Sequence, residues 1–252
     1  MKQQIKTILT NLGLPPSKIK RTIFGFQRYF DENELVSDFL LKKINNGVAI
    51  DVGVAWGLVS APLLNKGWTV FGFEPDPDPR KKQAIAELLK NYCNFYWSEK
   101  AVSDKTGEKL SFYVSDESAG ISSLHNFKNH KFSHTVTTIN LSDFLKEKNV
   151  EKIDFLKIDT EGHDLFVLKG FPFDTILPKI VVAEFDDFKT KALGYSYKDI
   201  GDLLCKYGYS VYLSEWFPLK QYGSGHKFRR LIKYPSDLLD SKAWGNFIAV
   251  KS

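Results

Sequence analysis

The strongest constraint on this chain is an alternation. Short runs rich in β-branched and aromatic residues recur along it, separated by longer helix-like segments. The runs are VAIDVG (48–53), WTVFGFE (68–74), NFYWSEKAV (94–102), IDFLKID (153–159), KIVVAEF (179–185) and YSVYLSE (209–215), with NFIAVKS (246–252) following later. Runs of this length and composition read as buried strands. The segments 57–66, 78–91, 161–169 and 196–207 read as helices, and LSDFLKEKN (141–149) begins another with Ser142 as its N-cap. Strand–helix alternation predicts an α/β fold, a parallel sheet with helices on both faces. Ligands of such sheets bind beyond the carboxyl ends of the strands.

Two segments break the pattern. Residues 108–139 hold EKLSFYVSD and HTVTTIN around a polar stretch, which predicts an inserted strand pair. Residues 216–245 form a long aromatic and basic excursion before the last strand. Long inserts in compact domains are usually functional or disordered, and the aromatic content argues against disorder.

Composition bounds the function classes. The 252 residues suffice for one large domain, and a 43% hydrophobic share marks it as globular. The net charge of +5 fits an anionic substrate or a weakly acidic surface, and falls short of a dedicated nucleic-acid binder. Cys93 and Cys205 have neither metal spacing nor pairing logic, which predicts a reducing compartment. The N-terminal residues lack a signal-peptide apolar region, and no stretch approaches the roughly 18 apolar residues of a membrane span. The expectation is a soluble cytoplasmic protein. Residues 1–46 are read as an N-terminal helical arm and 47–252 as the main domain. Basic and aromatic residues mix in 15–30, which suits peripheral contact with a membrane or partner, or packing on the core; packing is the preferred reading.

Chemistry enters with AIDVGVAWGLVSAPLLNKGWTVFGFEPDP (49–77). Asp51 lies near the end of the first strand, followed by Gly53 and Gly57. Glycines there permit a sharp turn and close approach of a ligand to the backbone. Glu74 closes the next strand, at the distance from the first strand where an acid accepts hydrogen bonds from a ribose diol. A dinucleotide site predicts G-x-G-x-x-G, but Ala55 and Leu58 occupy its second and third glycine positions. Asp51 would also repel a diphosphate. S-adenosylmethionine carries a cationic sulfonium and an ammonium and no phosphate, so the acid pair and spaced glycines favour it. An ordinary strand–helix turn with a solvent-facing acid is the plain alternative.

A second stretch is IDFLKIDTEGHDLFVLKGF (153–171). Together with DVGVAWGLVS, VFGFEPDP, EKAVSDKTGE and AGISSL, it resembles the FkbM-type methyltransferases, a family of class I S-adenosylmethionine-dependent enzymes. The resemblance covers roughly residues 47–186 in the same order. It implies a Rossmann-like, seven-stranded, mostly parallel sheet with an antiparallel last strand. It also implies methyl transfer, usually to a hydroxyl of a sugar, glycan or natural product. The family commonly has Asn where this chain has Ala55. EWFPLKQYGSGHKFRR (215–230) resembles C-terminal extensions of members linked to bacterial surface polysaccharide.

Mapped onto this chain, the resemblance puts Asp51, Gly53 and Gly57 on the methionine part of the cofactor, Glu74 on the ribose, and Lys100 and Ala101 beside the adenine. Trp56 packs nearby or belongs to the core. Asp159 ends the fourth strand and points into the cleft. His163 is the first candidate for general base, since histidine titrates near neutrality without any shift; a plain helix-surface histidine is the competing reading. Glu161 contacts substrate or is a first-turn acid favoured by the helix dipole. Glu184 is a third catalytic candidate, and Asp159, Glu184 and Asp186 together could hold Mg²⁺ or bind sugar hydroxyls directly. Ser123 lines the acceptor mouth. His226, Arg229 and Arg230 suit a phosphate-bearing acceptor or form a solvated basic loop. Trp216, Phe217 and Tyr222 stack on sugar rings or anchor the insert.

The leading expectation is therefore O-methylation of a sugar or surface-polysaccharide precursor. A small secondary metabolite or a phosphorus-bearing glycan modifier is the alternative acceptor. Outside the class stands a nicotinamide-dependent oxidoreductase, against which the missing glycine motif argues. No nucleic-acid partner is expected.

Overall fold

The computed structural model describes residues 32–127, 129–219 and 226–251. Its first half runs β1 (Val48–Val52), α1 (Ser60–Leu64), β2 (Thr69–Phe73), α2 (Pro79–Asn91), β3 (Phe95–Ser98), β4 (Ala101–Val102), β5 (Lys109–Val114), β6 (Lys131–Ile139) and α3 (Leu141–Glu147). Then follow β7 (Phe155–Ile158), α4 (Asp164–Lys169), β8 (Ile180–Asp186), α5 (Asp187–Thr190), α6 (Tyr197–Lys206), β9 (Tyr209–Trp216), β10 (Phe228–Lys233) and β11 (Trp244–Lys251).

The main sheet has the order β10-β9-β11-β8-β7-β1-β2-β3. Neighbours from β8 to β3 are parallel, and β11 is antiparallel to both β8 and β9. The expected mostly parallel sheet with an antiparallel last strand is present. It carries one strand more than the seven expected: part of the 216–245 excursion becomes β10 and pairs antiparallel with β9 at the edge. Its sequence, FRRLIK, is half charged, as an unprotected edge favours, and that hides it from a search for apolar runs.

Alternation within strands explains the two-sided core. Ile50, Val52, Phe71, Phe73, Leu156 and Ile158 face one layer with α3, α4 and α6. Ala49, Val70, Phe155 and Val182 face the other, against Leu63, Leu64, Ile85 and Leu88 of α1 and α2. Successive side chains of a strand point to opposite faces, so a strand covered on both sides is apolar throughout. Each fully buried aliphatic or aromatic side chain contributes about 1.5–3 kcal/mol.

The inserted strand pair is β5 with β6. The single strand expected over 94–102 is broken, because the chain leaves the main sheet after Ser98. Ala101 and Val102 pair instead with Thr138 and Ile139 of β6. The N-cap of α3 is Asn140, whose side chain accepts from Asp143 N at 2.7 Å, and Ser142 lies inside the helix. Of the N-terminal arm, the turn Glu32–Leu35 runs on into Val36–Leu40, with Val36 and Leu41 buried in the second layer. Residues 1–31, including 15–30, lie outside the described residues, as does Tyr222. Among the described residues no helix is long and apolar enough to cross a membrane.

Candidate active site

The parallel strands deliver their carboxyl ends to one side of the sheet, and a cavity of about 160 Å³ opens there. Gly53, Trp56 and Glu74 line it beside Lys81, Lys100 and Ala101. Ser122, Ser123, Leu124, Asp159, Thr160 and Glu161 line the rest. With Phe112 also in the wall, the cavity gathers residues from seven separate stretches of sequence.

The turn after β1 is shaped by backbone constraints. Gly53 has φ +88°, and a Cβ there would sit 2.0 Å from the carbonyl oxygen of Asp159. Only glycine permits that approach between β1 and the end of β7. Ala55 has φ +48°, a left-handed conformation that costs a non-glycine residue about 1–2 kcal/mol. Glu74 holds the turn in place: its Oε2 accepts from Ala55 N at 2.8 Å and its Oε1 from Asp76 N at 2.9 Å. The carboxylate is buried. Burial pushes its pKa up, against the pull of Lys81, whose ammonium lies 3.7 Å away. Trp56 is 40% exposed and forms cavity wall rather than core, with the Lys81 ammonium 5.6 Å from its ring centre.

Two residues expected at the cofactor lie elsewhere. Asp51 does not line the cavity. It is buried beneath the turn, and its Oδ2 accepts from Ser60 Oγ at 2.6 Å. Burial pushes its carboxyl up to about 6, partly offset by that hydrogen bond and by Lys157. Asp51 thus pins α1 to β1. Gly57 faces α2: with φ +73°, its Cβ would meet Leu88 Cδ1 at 2.7 Å. Its constraint is helix packing.

The TEG turn after β7 carries the densest charge. Asp159 pairs with Lys157 at 3.1 Å, and carboxylate oxygens of Asp159, Glu161 and Glu184 lie within 4.8 Å of one another. Glu184 does not line the cavity, and its buried Oε2 has no hydrogen-bond partner among the described residues. The expected metal set differs. Asp186 is drawn off to cap α5, accepting from Phe188 N at 3.1 Å. Lys189 enters the cluster instead, bonded to Glu161 and 3.6 Å and 3.4 Å from Glu184 and Asp186. An ammonium thus stands among the oxygens that Mg²⁺ would need, and the donor set does not fit a divalent ion as arranged. Burial would lower the pKa of Lys157, but Asp159, Glu184 and Asp51 outweigh it and raise it.

His163 is not at the cavity. It is buried, stacked on Phe166 at 4.6 Å, with Nδ1 2.9 Å from His125 Nε2 and Nε2 2.9 Å from Ser103 Oγ. Burial, with His125 adding to it, pushes it down to about 3. Both ring nitrogens are engaged inside the protein, so the expected general base has no path to an acceptor. The arginines of HKFRR are also committed. Arg230 Nε bonds the fully buried Glu215 at 2.6 Å, and Arg229 lies 3.5 Å from the same carboxylate. His226 packs edge-on to Trp244 and Trp216. Among the described residues this cluster anchors β10, with both guanidinium groups turned to Glu215. Ser123 does line the cavity, and its hydroxyl donates to Glu161 O at 2.9 Å.

Reading by sequence missed Lys81, Lys189 and Thr160. The lysines carried no signal beyond their spacing: Lys81 lies five residues after Asp76, and Lys189 three after Asp186 at the end of β8.

Comparisons with known proteins complete the description. No curated protein matches the chain. Among solved structures, the magnesium protoporphyrin IX methyltransferase of Synechocystis with bound SAH is similar at 12% identity, over 100% of this chain and 99% of that one, with a TM-score of 0.46. A precorrin-6y C5,15-methyltransferase from Geobacter metallireducens is similar at 13%, over 87% and 89%, with a TM-score of 0.43. A putative RNA methyltransferase from Pyrococcus horikoshii is similar at 14%, over 100% and 98%, also at 0.43. No acceptor is inferred from likenesses this distant. The Methyltransferase FkbM domain profile matches residues 46–211, which spans every strand from β1 to β8 and all cavity-lining residues. The chain belongs to the FkbM-type family of class I S-adenosylmethionine-dependent methyltransferases.

Proposed function

We propose that the protein transfers a methyl group from S-adenosylmethionine to a hydroxyl of a sugar or surface-polysaccharide precursor. The observation that carries this reading is Glu74, a buried carboxylate lining the cavity at the end of β2. Each of its oxygens takes one backbone donor, and each keeps a second lone pair for a ribose hydroxyl. Gly53, Trp56, Lys100 and Ala101 frame the same end and suit the rest of the cofactor. When bound, S-adenosylmethionine supplies an electrophilic methyl on a cationic sulfur. Asp159 and Glu161 favour positive charge at the other end.

The acceptor enters beside Ser122, Ser123 and Leu124, which the 108–139 insert contributes. Transfer needs the acceptor oxygen in line with the methyl and a group to take its proton. With His163 sealed away, that duty falls to the carboxylates of the TEG turn. Residues 47–252 act as one catalytic domain in this reading. The carbohydrate acceptor draws support from the polar mouth and from the 215–230 resemblance. A cytoplasmic setting suits the two exposed, unpaired thiols of Cys93 and Cys205.

The test is a calorimetric titration with S-adenosylmethionine, followed by transfer of its labelled methyl group to neutral, phosphorylated and nucleotide-linked sugars. One-to-one binding and an ether-linked product are expected. Folded protein that does not bind the cofactor would overturn the reading. Transfer confined to a non-carbohydrate metabolite would replace the acceptor class.

A further inference from the structure

We infer that Glu161 is the group that takes the acceptor's proton, and that Lys189 is the positioning residue holding its carboxylate at the reacting end of the cavity. This rests on the methyl-transfer reading above. As the acceptor oxygen's electron pair bonds the methyl carbon, its proton passes to Glu161. The carbon–sulfur pair leaves with the sulfur as a neutral thioether.

The backbone is built to present this one side chain. Glu161 has φ +55°, costly for a residue with a Cβ. Such strain persists only where surrounding contacts over-determine it, and here they do. Asp164 accepts from Thr160 N and Gly162 N, both at 3.1 Å. Tyr195 donates to Gly162 O and Ser123 to Glu161 O, both at 2.9 Å. Three side chains from separate elements fix a strained peptide whose carboxylate lines the cavity.

The neighbours divide the roles. Glu184 lies behind the cavity, buried, and burial and Glu161 push its carboxyl well up. Asp159 is paired with Lys157. From the helical side, Asp164 is spent on the turn, and Lys189 bonds Glu161 through Oε2 while approaching Glu184 and Asp186. Burial pushes Glu161 up to about 7 even against Lys189, which suits a base working near neutral pH. Lys189 keeps the ionised form within reach, as a fixed internal cation.

S-adenosylmethionine and S-adenosylhomocysteine are the probes. They share ribose and amino-acid groups, so their affinity ratio isolates the sulfonium charge. In the wild type the ratio should move roughly tenfold toward the charged ligand between about pH 5.5 and 8.5, as Glu161 ionises. Glu161→Gln should flatten that profile with the S-adenosylhomocysteine affinity kept within about twofold. Lys189→Met should raise the midpoint by about one unit or more, and Lys189→Arg should restore it. A flat wild-type ratio, or an unchanged profile in Glu161→Gln, overturns the proposal while leaving cofactor binding intact. An unmoved midpoint in folded Lys189→Met overturns the lysine's role. If Lys189→Met does not fold, the Lys189→Arg midpoint decides, and a shift of more than about one unit overturns it. Failure of the wild type to bind either probe overturns the methyl-transfer reading itself.

Discussion

Glu74 Oε2 accepts the backbone N–H of Ala55 at 2.8 Å, tying the acid that closes β2 to the turn that follows β1. One carboxylate therefore builds the site and faces the ligand. Glu74→Ala should lose both, with cofactor binding abolished and unfolding free energy reduced by about 1–3 kcal/mol for the stranded donors. Glu74→Gln keeps the shape, and should weaken binding at least about tenfold with a smaller drop in stability. Denaturant unfolding and calorimetry on both variants separate the two effects.

Ala55 and Gly53 should respond oppositely to an added side chain. Ala55 sits at φ +48° on the cavity wall, and asparagine tolerates that region better than alanine. Ala55→Asn is expected to stabilise the protein by about 0.5–1 kcal/mol, read from its unfolding midpoint. Gly53→Ala drives a Cβ to within 2.0 Å of a backbone oxygen. Neither strand end can yield cheaply, so a loss of more than about 3 kcal/mol is expected.

Glu215 is fully buried, and Arg230 is its nearest cation. Removing the arginine leaves a buried carboxylate answered, among the described residues, by Arg229 at 3.5 Å and by the Leu239 N–H at 3.0 Å. Arg230→Met should cost about 3 kcal/mol and lower the melting temperature. Inorganic phosphate should stabilise neither form, in keeping with a structural pair.

The sheet was legible because its signal is redundant: every strand from β1 to β8 in the main sheet is an apolar run, and each failure has a local cause. β10 was hidden by its arginines, and β3 and β4 were fused because the polar triplet Ser98-Glu99-Lys100 between them is short enough to pass as part of one strand. The site was legible where chemistry and position coincide, as at Glu74. It was not where a residue type suggested a role that burial then forbids. His163 has the right chemistry, and sits in sequence two residues from the cavity-lining Glu161. Which of the two faces the cavity depends on the φ of Glu161 and on Asp164, Tyr195 and Ser123, three contacts distant in sequence or invisible to periodicity.

The cation content of the acid cluster follows from Lys189. With its ammonium bonded to Glu161 and close to Glu184 and Asp186, wild-type protein should bind no Mn²⁺ at about millimolar concentration, by electron paramagnetic resonance. A chelator should leave cofactor affinity unchanged. A bound-Mn²⁺ signal would show that the carboxylates take a divalent ion despite the lysine.

The His125–His163 pair sets a pH dependence of definite sign. Burial holds His125 down at about 4 and His163 at about 3, against about 6.5 in an unfolded chain. Below pH 6.5 the unfolded chain therefore binds more protons, and this pair's contribution to stability falls as pH falls toward those values. The carboxyls act in the opposite sense. Asp51 and Asp164, raised to about 6 mainly by burial, keep protons that the unfolded chain has lost, so their contribution falls as pH rises from about 4 to 6. Neutral rings also give a coherent chain of donors, from His125 Nε2 to His163 Nδ1, from His163 Nε2 to Ser103 Oγ, and from Ser103 Oγ to Asp104 Oδ1 at 3.1 Å. Protonating His163 would set its Nδ1–H against the N–H of His125 Nε2. The ring C–H resonances of His125 and His163 should therefore stay flat between about pH 5.5 and 8. A midpoint near 6.5 for His163 would mean that the ring reaches solvent, and would return it to contention as the base.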